Sequence, residues 1–217
     1  MWVLGDNPAV DKTAKAISIL FHPGFQQFYL VLFYAVKTQQ PWIVHLSAVV
    51  FLFLVPTAFY LWFKKNVLHE QNIYRMERKD RLWPILVNML GLLAFTGFAF
   101  GFSENTWNEF LANLSGTHPE LTVELLSALL IVLNIMAQSV TQFYKISLHM
   151  LGTATSGFVF YVESGPVLFA LIMLPLIVAV GWSRLHLKGH TPPQVYVGTG
   201  AGLAYATVIL VLLDKLP

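Results

Sequence analysis

What the chain lacks narrows its class before any motif is read. Its 217 residues include no cysteine, which rules out disulfides and thiolate metal ligands and leaves the redox compartment unstated. Charge is scarce: Asp, Glu, Lys and Arg make up 11% of the residues and the formal net charge is +2, so no nucleic-acid partner is expected. Carboxylates never gather into an acid-rich cluster. No internal repeat or low-complexity linker interrupts the sequence, and it reads as one integral membrane domain over 1–217. The amino-terminal stretch carries Asp6, Asp11, Lys12 and Lys15 where a signal peptide would have a short basic start and a small-residue cleavage site. It is therefore expected to stay in the mature protein.

Apolar sequence is what the chain has in abundance. Hydrophobic residues account for 56% and the mean hydropathy is +0.64, values that belong to a polytopic membrane protein rather than a soluble domain. A helix needs roughly 20 apolar residues to cross the hydrocarbon core, and in lipid its backbone must bond within its own segment. Seven such runs can be drawn, at about 16–36, 42–63, 84–102, 122–142, 146–162, 165–182 and 195–213. His22-Pro23-Gly24 interrupts the first and predicts a kink. The fourth and fifth nearly merge around Phe143 to Ser147, which makes six the alternative count. The expected fold class is an all-α transmembrane bundle of six to seven spans.

Alternation of the spans assigns each loop to a face. Lys12, Lys15, Lys64, Lys65, Arg75, Arg78, Lys79, Arg81, Lys145, Arg184 and Lys188 fall on one side, and Lys37 and Lys215 on the other. Setting aside the six that an anion site would recruit still leaves five against two, so the basic side is expected to be cytoplasmic. On the opposite side, Glu104, Glu109 and Glu120 with Trp107 and Phe110 suggest either a short interfacial helix or a plain connector.

Three polar islands lie on the basic side. Trp182-Ser183-Arg184-Leu185-His186-Leu187-Lys188-Gly189-His190-Thr191-Pro192-Pro193-Gln194 separates two apolar spans. Lys145-Ile146-Ser147-Leu148-His149 opens the fifth span, and Arg75 to Pro84 opens the third. Arginine forks and lysine point charges suit phosphate oxygens, and histidine serves as nucleophile or general acid near neutral pH, so a phosphate ester fits this set. Thr191, Pro192 and Gln194 read as N-cap, N1 and N3 of a capping box. His190 then sits at a helix N-terminus, whose N–H groups favour an anion.

In these residues the chain resembles the type 2 phosphatidic acid phosphatase family. Ser183-Arg184-x5-His190 is similar to its third signature, SR-x5-H-x3-D, Ser147-Leu148-His149 to its PSGH, and Arg78 to Pro84 to its K-x6-R-P. A bacterial branch resembling the family carries RLxLKxHTPxQ, the form found at 184–194. The resemblance implies that His190 is the nucleophile, that His149 protonates the leaving lipid oxygen, and that Arg184, Arg81, Arg78 and Lys79 hold phosphate oxygens, with backbone donors around Ser147 and Leu148. It implies no metal and no cofactor. Implied substrates are membrane lipids of the phosphatidate, phosphatidylglycerol phosphate or polyprenyl diphosphate class, handled in a bacterial inner membrane, where many relatives work on the outer face. The family's aspartate is Gln194 here, whose amide oxygen can orient an imidazole but cannot neutralise an imidazolium. Ile146 and Leu148 replace proline and glycine, and Leu82-Trp83 separates Arg81 from Pro84.

Other readings stay open. Gln194 and the altered PSGH favour a phosphatase-like protein that binds or moves an anionic lipid with little turnover; paired histidines holding haem form a third reading. Taken alone, 64–83 is a basic flank and His149 an interfacial histidine, while His22, His45, His69, His118 and His186 show no spacing that names a role. Val197 to Gly202 has the look of a nucleotide loop but lies inside an apolar span, so close helix packing is expected there, as at Gly97 and Gly101. Glu124, Asn134 and Gln138 either face a cavity or make packing hydrogen bonds.

Overall fold

The computed structural model describes residues 8–66, 82–102 and 122–212. Every regular element in them is helical: α1 Pro8–Leu20, α2 Pro23–Lys37, α3 Trp42–Ala48, α4 Val55–Asn66, α5 Leu82–Phe102, α6 Val123–Phe143, α7 Leu148–Leu168, α8 Leu174–His186 and α9 Pro192–Leu212. Five helical stretches are long and apolar enough to cross a membrane, and the bent pair α1–α2 makes six. The chain is a bundle of apolar helices suited to a bilayer, in line with the composition.

Prolines and glycines explain where the helices depart from straightness. Pro23 has no N–H to donate, and α1 and α2 meet at 53° across the Leu20–Pro23 break, the kink expected at His22-Pro23-Gly24. The helix before it starts at Pro8 rather than near 16, because the amphipathic stretch carrying Asp11, Lys12 and Lys15 joins it. Two further prolines, Pro56 and Pro175, each follow by two residues a π-helical turn, Val49–Leu54 and Phe169–Met173. A wider turn there absorbs the carbonyl that proline leaves without a donor.

The 39-residue stretch Leu148–His186 is too long for one crossing, since at 1.5 Å per residue it would span about twice the hydrocarbon thickness. It folds back on itself. Gly165 adopts φ 83°, ψ 169° with Pro166 behind it, and the arms lie side by side, with Gly157 against Phe169, Met173 and Ile177 and Gly181 against Met150. These arms are the fifth and sixth runs of the sequence.

Two glycines one turn apart let α9 press against α7. A β-carbon at Gly198 would stand 2.6 Å from the Ser147 carbonyl oxygen, and one at Gly202 would collide with the Leu151 carbonyl. The glycine run is therefore a packing surface, as expected. Gly97 and Gly101 behave differently from the expectation: among the described residues nothing lies within 4 Å of either added β-carbon, whereas Gly91, earlier on the same helix, abuts the Phe51 backbone.

Contacts at the two ends support the side-by-side assignment of loops. Lys37 pairs with Glu163 at one end; Asp11 reaches His186, and Ser147 reaches Gln194, at the other. The stretches bearing Arg78, Lys79, Arg81, His69, Glu104, Glu109, Glu120, Trp107, Phe110, His118 and Lys215 lie outside the described residues.

Candidate functional site

The end of α8 sets the interval between Arg184 and His190. The helix closes on Leu187, Lys188 takes the left-handed conformation at φ 52°, and the Lys188 N–H reaches the Leu185 carbonyl at 3.0 Å while the Gly189 N–H reaches that of Arg184 at 3.2 Å. This is the Schellman arrangement, with lysine where glycine is usual. The His190 N–H also points at the Arg184 carbonyl, at 3.4 Å. Five intervening residues are therefore what one helix end and its closing turn require.

Immediately after, α9 begins at Pro192 as the capping box predicts. The Thr191 N–H donates to Gln194 Oε1 at 3.2 Å, and the same oxygen lies 3.2 Å from His190 Nδ1. Accepting from a backbone N–H identifies that atom as the amide oxygen, which has no proton to give, so Nδ1 carries the hydrogen. The Nε2 nitrogen of the neutral ring then bears the lone pair. A helix cap thus selects the tautomer of a buried histidine.

His149 reaches the same end from α7. Ser147 caps that helix, accepting from Met150 N–H at 3.5 Å, and its own N–H donates to the Gln194 carbonyl at 3.1 Å. The Ser147 N–H thus fastens the start of α7 to the start of α9, while its Oγ caps α7. His149 Nε2 lies 3.1 Å from the Ser18 carbonyl, an acceptor only, so Nε2 carries the proton. The Arg184 guanidinium and the rings of His22 and His190 all lie within electrostatic reach of His149.

Arg184 is 4% exposed and its Nη1 donates to Ser18 Oγ at 2.5 Å. An arginine this deep needs counter-charge or good acceptors, because removing its hydration is costly. Ser18 supplies one acceptor from α1, and α1 is held against α8 by Asp11 Oδ1, 2.7 Å from His186 Nε2. Trp182 stacks on that imidazole with ring centres 5.3 Å apart.

Of the eight residues that the sequence nominates, five converge: His190, Gln194, Arg184, His149 and Ser147. Arg78, Lys79 and Arg81 lie outside the described residues. Three residues of the bent helix pair join the five without having been nominated. Ser18 contacts Arg184 and His149, and the His22 ring stands edge-on to His149 with centroids 5.6 Å apart. Gln26 Nε2 lies 2.6 Å from the Phe21 carbonyl, 2.7 Å from Thr153 Oγ1 and 3.3 Å from the His149 carbonyl. Their spacing of four residues was the available signal, concealed by Pro23 in its midst.

Together these groups form a buried cationic and imidazole cluster at one end of the bundle. It offers a guanidinium for anion oxygens, one imidazole with a defined lone pair and a second with a defined proton. No protein-family model, curated protein or solved structure matches the chain, so its chemistry rests on this geometry.

Proposed function

We propose that the protein is an integral membrane lipid phosphatase, hydrolysing a phosphate monoester or diphosphate whose tail remains in the bilayer. The observation that carries the reading is the convergence of His190 and His149 from two helices on the buried Arg184. In this reading Arg184 holds phosphate oxygens, and the Nε2 lone pair of His190 attacks phosphorus. The P–O bond to the lipid breaks as P–N forms, and the leaving oxygen takes a proton from the imidazolium form of His149, which becomes the neutral ring. Water then attacks phosphorus and returns a proton to His149, and the P–N bond breaks to release inorganic phosphate. Arg78, Lys79 and Arg81 add positive charge, Ser147 fixes the frame, and the site needs no metal or cofactor. Substrates are of the phosphatidate, phosphatidylglycerol phosphate or polyprenyl diphosphate class.

Phosphate release from a panel of these lipids by purified protein in detergent tests the reading. Release is expected from the unmodified chain, reduced by ~10³-fold or more in His190→Ala, and faster in Gln194→Asp, whose carboxylate would neutralise the imidazolium. No release from any lipid would refute the enzyme.

One observation favours a second reading, in which the protein binds or moves an anionic lipid with little turnover: the group on His190 Nδ1 is a neutral amide. Lipid-phosphate binding without release, lost in Arg184→Ala, would select it. The Lys and Arg asymmetry supports a site facing the cytoplasm of a bacterial inner membrane. A Lys65→Cys protein, its cysteine unique, should resist an impermeant thiol reagent in intact cells; labelling would place the site on the outer face.

A further inference from the structure

Ser18 lies on a helix outside all three signature-like islands, yet it is 3% exposed and sits between Arg184 and His149. Counting donors and acceptors around its side chain shows an imbalance. Arg184 has only protons to offer, so at Nη1 the Ser18 oxygen accepts, at 2.5 Å. His149 Nε2 stands 3.4 Å away, but that nitrogen carries the hydrogen it directs at the Ser18 carbonyl, 3.1 Å off; it therefore cannot accept the hydroxyl proton. This holds for the neutral ring and for the imidazolium alike.

Several other hydroxyls in the bundle turn back on their own helix. Thr13 does so to the Ala9 carbonyl at 3.0 Å, Thr153 to His149 at 2.7 Å and Ser183 to Val180 at 2.8 Å. Ser18 has no such bond to α1, and faces Arg184 and His149 instead. Among the described residues its proton meets no acceptor, and a buried hydroxyl donor left so is unfavourable unless a ligand supplies the acceptor. Its contacts, the Arg184 guanidinium and the His149 imidazole, suit an acceptor that is anionic and carries several oxygens.

We propose that Ser18 is a phosphate ligand: its hydroxyl donates to a phosphate oxygen held at the same time by Arg184, so that the bent N-terminal helix pair forms a wall of the anion site. The assignment rests on the phosphate reading of the cluster, though not on turnover. Asp11–His186 and Gln26 then keep Ser18 in place, by holding α1 on α8 and the hinge on α7.

The test is binding of inorganic phosphate to the full chain in detergent, read as the rise in unfolding temperature with phosphate concentration, beside competition by inorganic phosphate against phosphatidate in mixed micelles. Unmodified protein is expected to bind, and Arg184→Ala to lose binding. Ser18→Ala is expected to weaken phosphate about tenfold, with the competition constant and KM rising together and kcat changing by less than about threefold. Ser18→Thr, which keeps the hydroxyl, should restore binding to within about threefold, and serves as the control for folding. Binding in Ser18→Ala as tight as in the unmodified protein would overturn the assignment, as would an unmodified chain that binds no phosphate. Phosphate binding that depends on Ser18, in a protein that releases nothing from any lipid, would uphold Ser18 and defeat the phosphatase alone.

Discussion

Gln26 and Gln27 are neighbours on α2, both buried, and they belong to two unlike polar clusters. Gln27 Oε1 accepts from Asn88 Nδ2 at 2.5 Å and Asn134 Nδ2 at 3.2 Å, and Asn88 lies 3.4 Å from Asn134 Oδ1. Three amides from α2, α5 and α6 thus close on one another. Gln26 faces the other way, toward Thr153 and the His149 carbonyl, and so toward Ser18, Arg184 and His190. The amide cluster is neutral and its members complement each other, as polar glue between membrane helices does. The other gathers a fixed positive charge, three imidazole rings and a hydroxyl proton that meets no acceptor among the described residues. Polar burial alone therefore says little about function; whether the donors and acceptors close among themselves says more.

The sharpest way to separate the two clusters is to remove a member of each. Arg184→Gln should reduce phosphate release by about 10²-fold or more, through loss of a preorganised anion contact, while lowering the unfolding temperature only modestly. Next in size, Gly198→Ala should cost about 1–3 kcal/mol of stability, because the Ser147 backbone cannot yield as a side-chain tip would. It should lower activity too, since the start of α7 carries His149; thermal unfolding and phosphate release on one sample would check both. Asn88→Leu should destabilise by about 0.5–2 kcal/mol in a denaturation series, yet leave kcat per folded molecule unchanged. A large drop in kcat there would join the two clusters and spoil the distinction. Lys188→Gly is the smallest change, a gain of about 0.5–1 kcal/mol from relieving a side chain in the left-handed region. Activity should not fall, because the turn keeps its shape.

What the sequence made legible was whatever depends on neighbours along the chain. Apolar run length located the spans, and Thr191, Pro192 and Gln194 announced a cap whose glutamine oxygen reaches back to the Thr191 N–H. The separation of the fifth and sixth runs was legible in the same way, and Gly165 with Pro166 makes the turn between them. Contacts across the fold were not legible. Ser18 looks like any serine on an amphipathic helix until α1 is laid on α8, and His22 reads as a hinge residue until its ring is seen against His149. The misreading of Gly97 and Gly101 has the same source: a small-residue interval permits close packing, but which face receives a partner is decided elsewhere, here at Gly91. The π-helical turns before Pro56 and Pro175 were equally hidden, since proline announces a missing donor and not how the helix absorbs it.

The closing turn of α8 has a consequence for how this chain can vary. Because the Arg184 carbonyl receives the N–H groups of both Gly189 and His190, the interval from guanidinium to imidazole is a length standard written in backbone. Side chains at 185 and 187 can be exchanged without altering it, whereas one inserted or deleted residue would carry His190 and the α9 cap together out of register with Arg184. Substitution is tolerated there and a change in length is not.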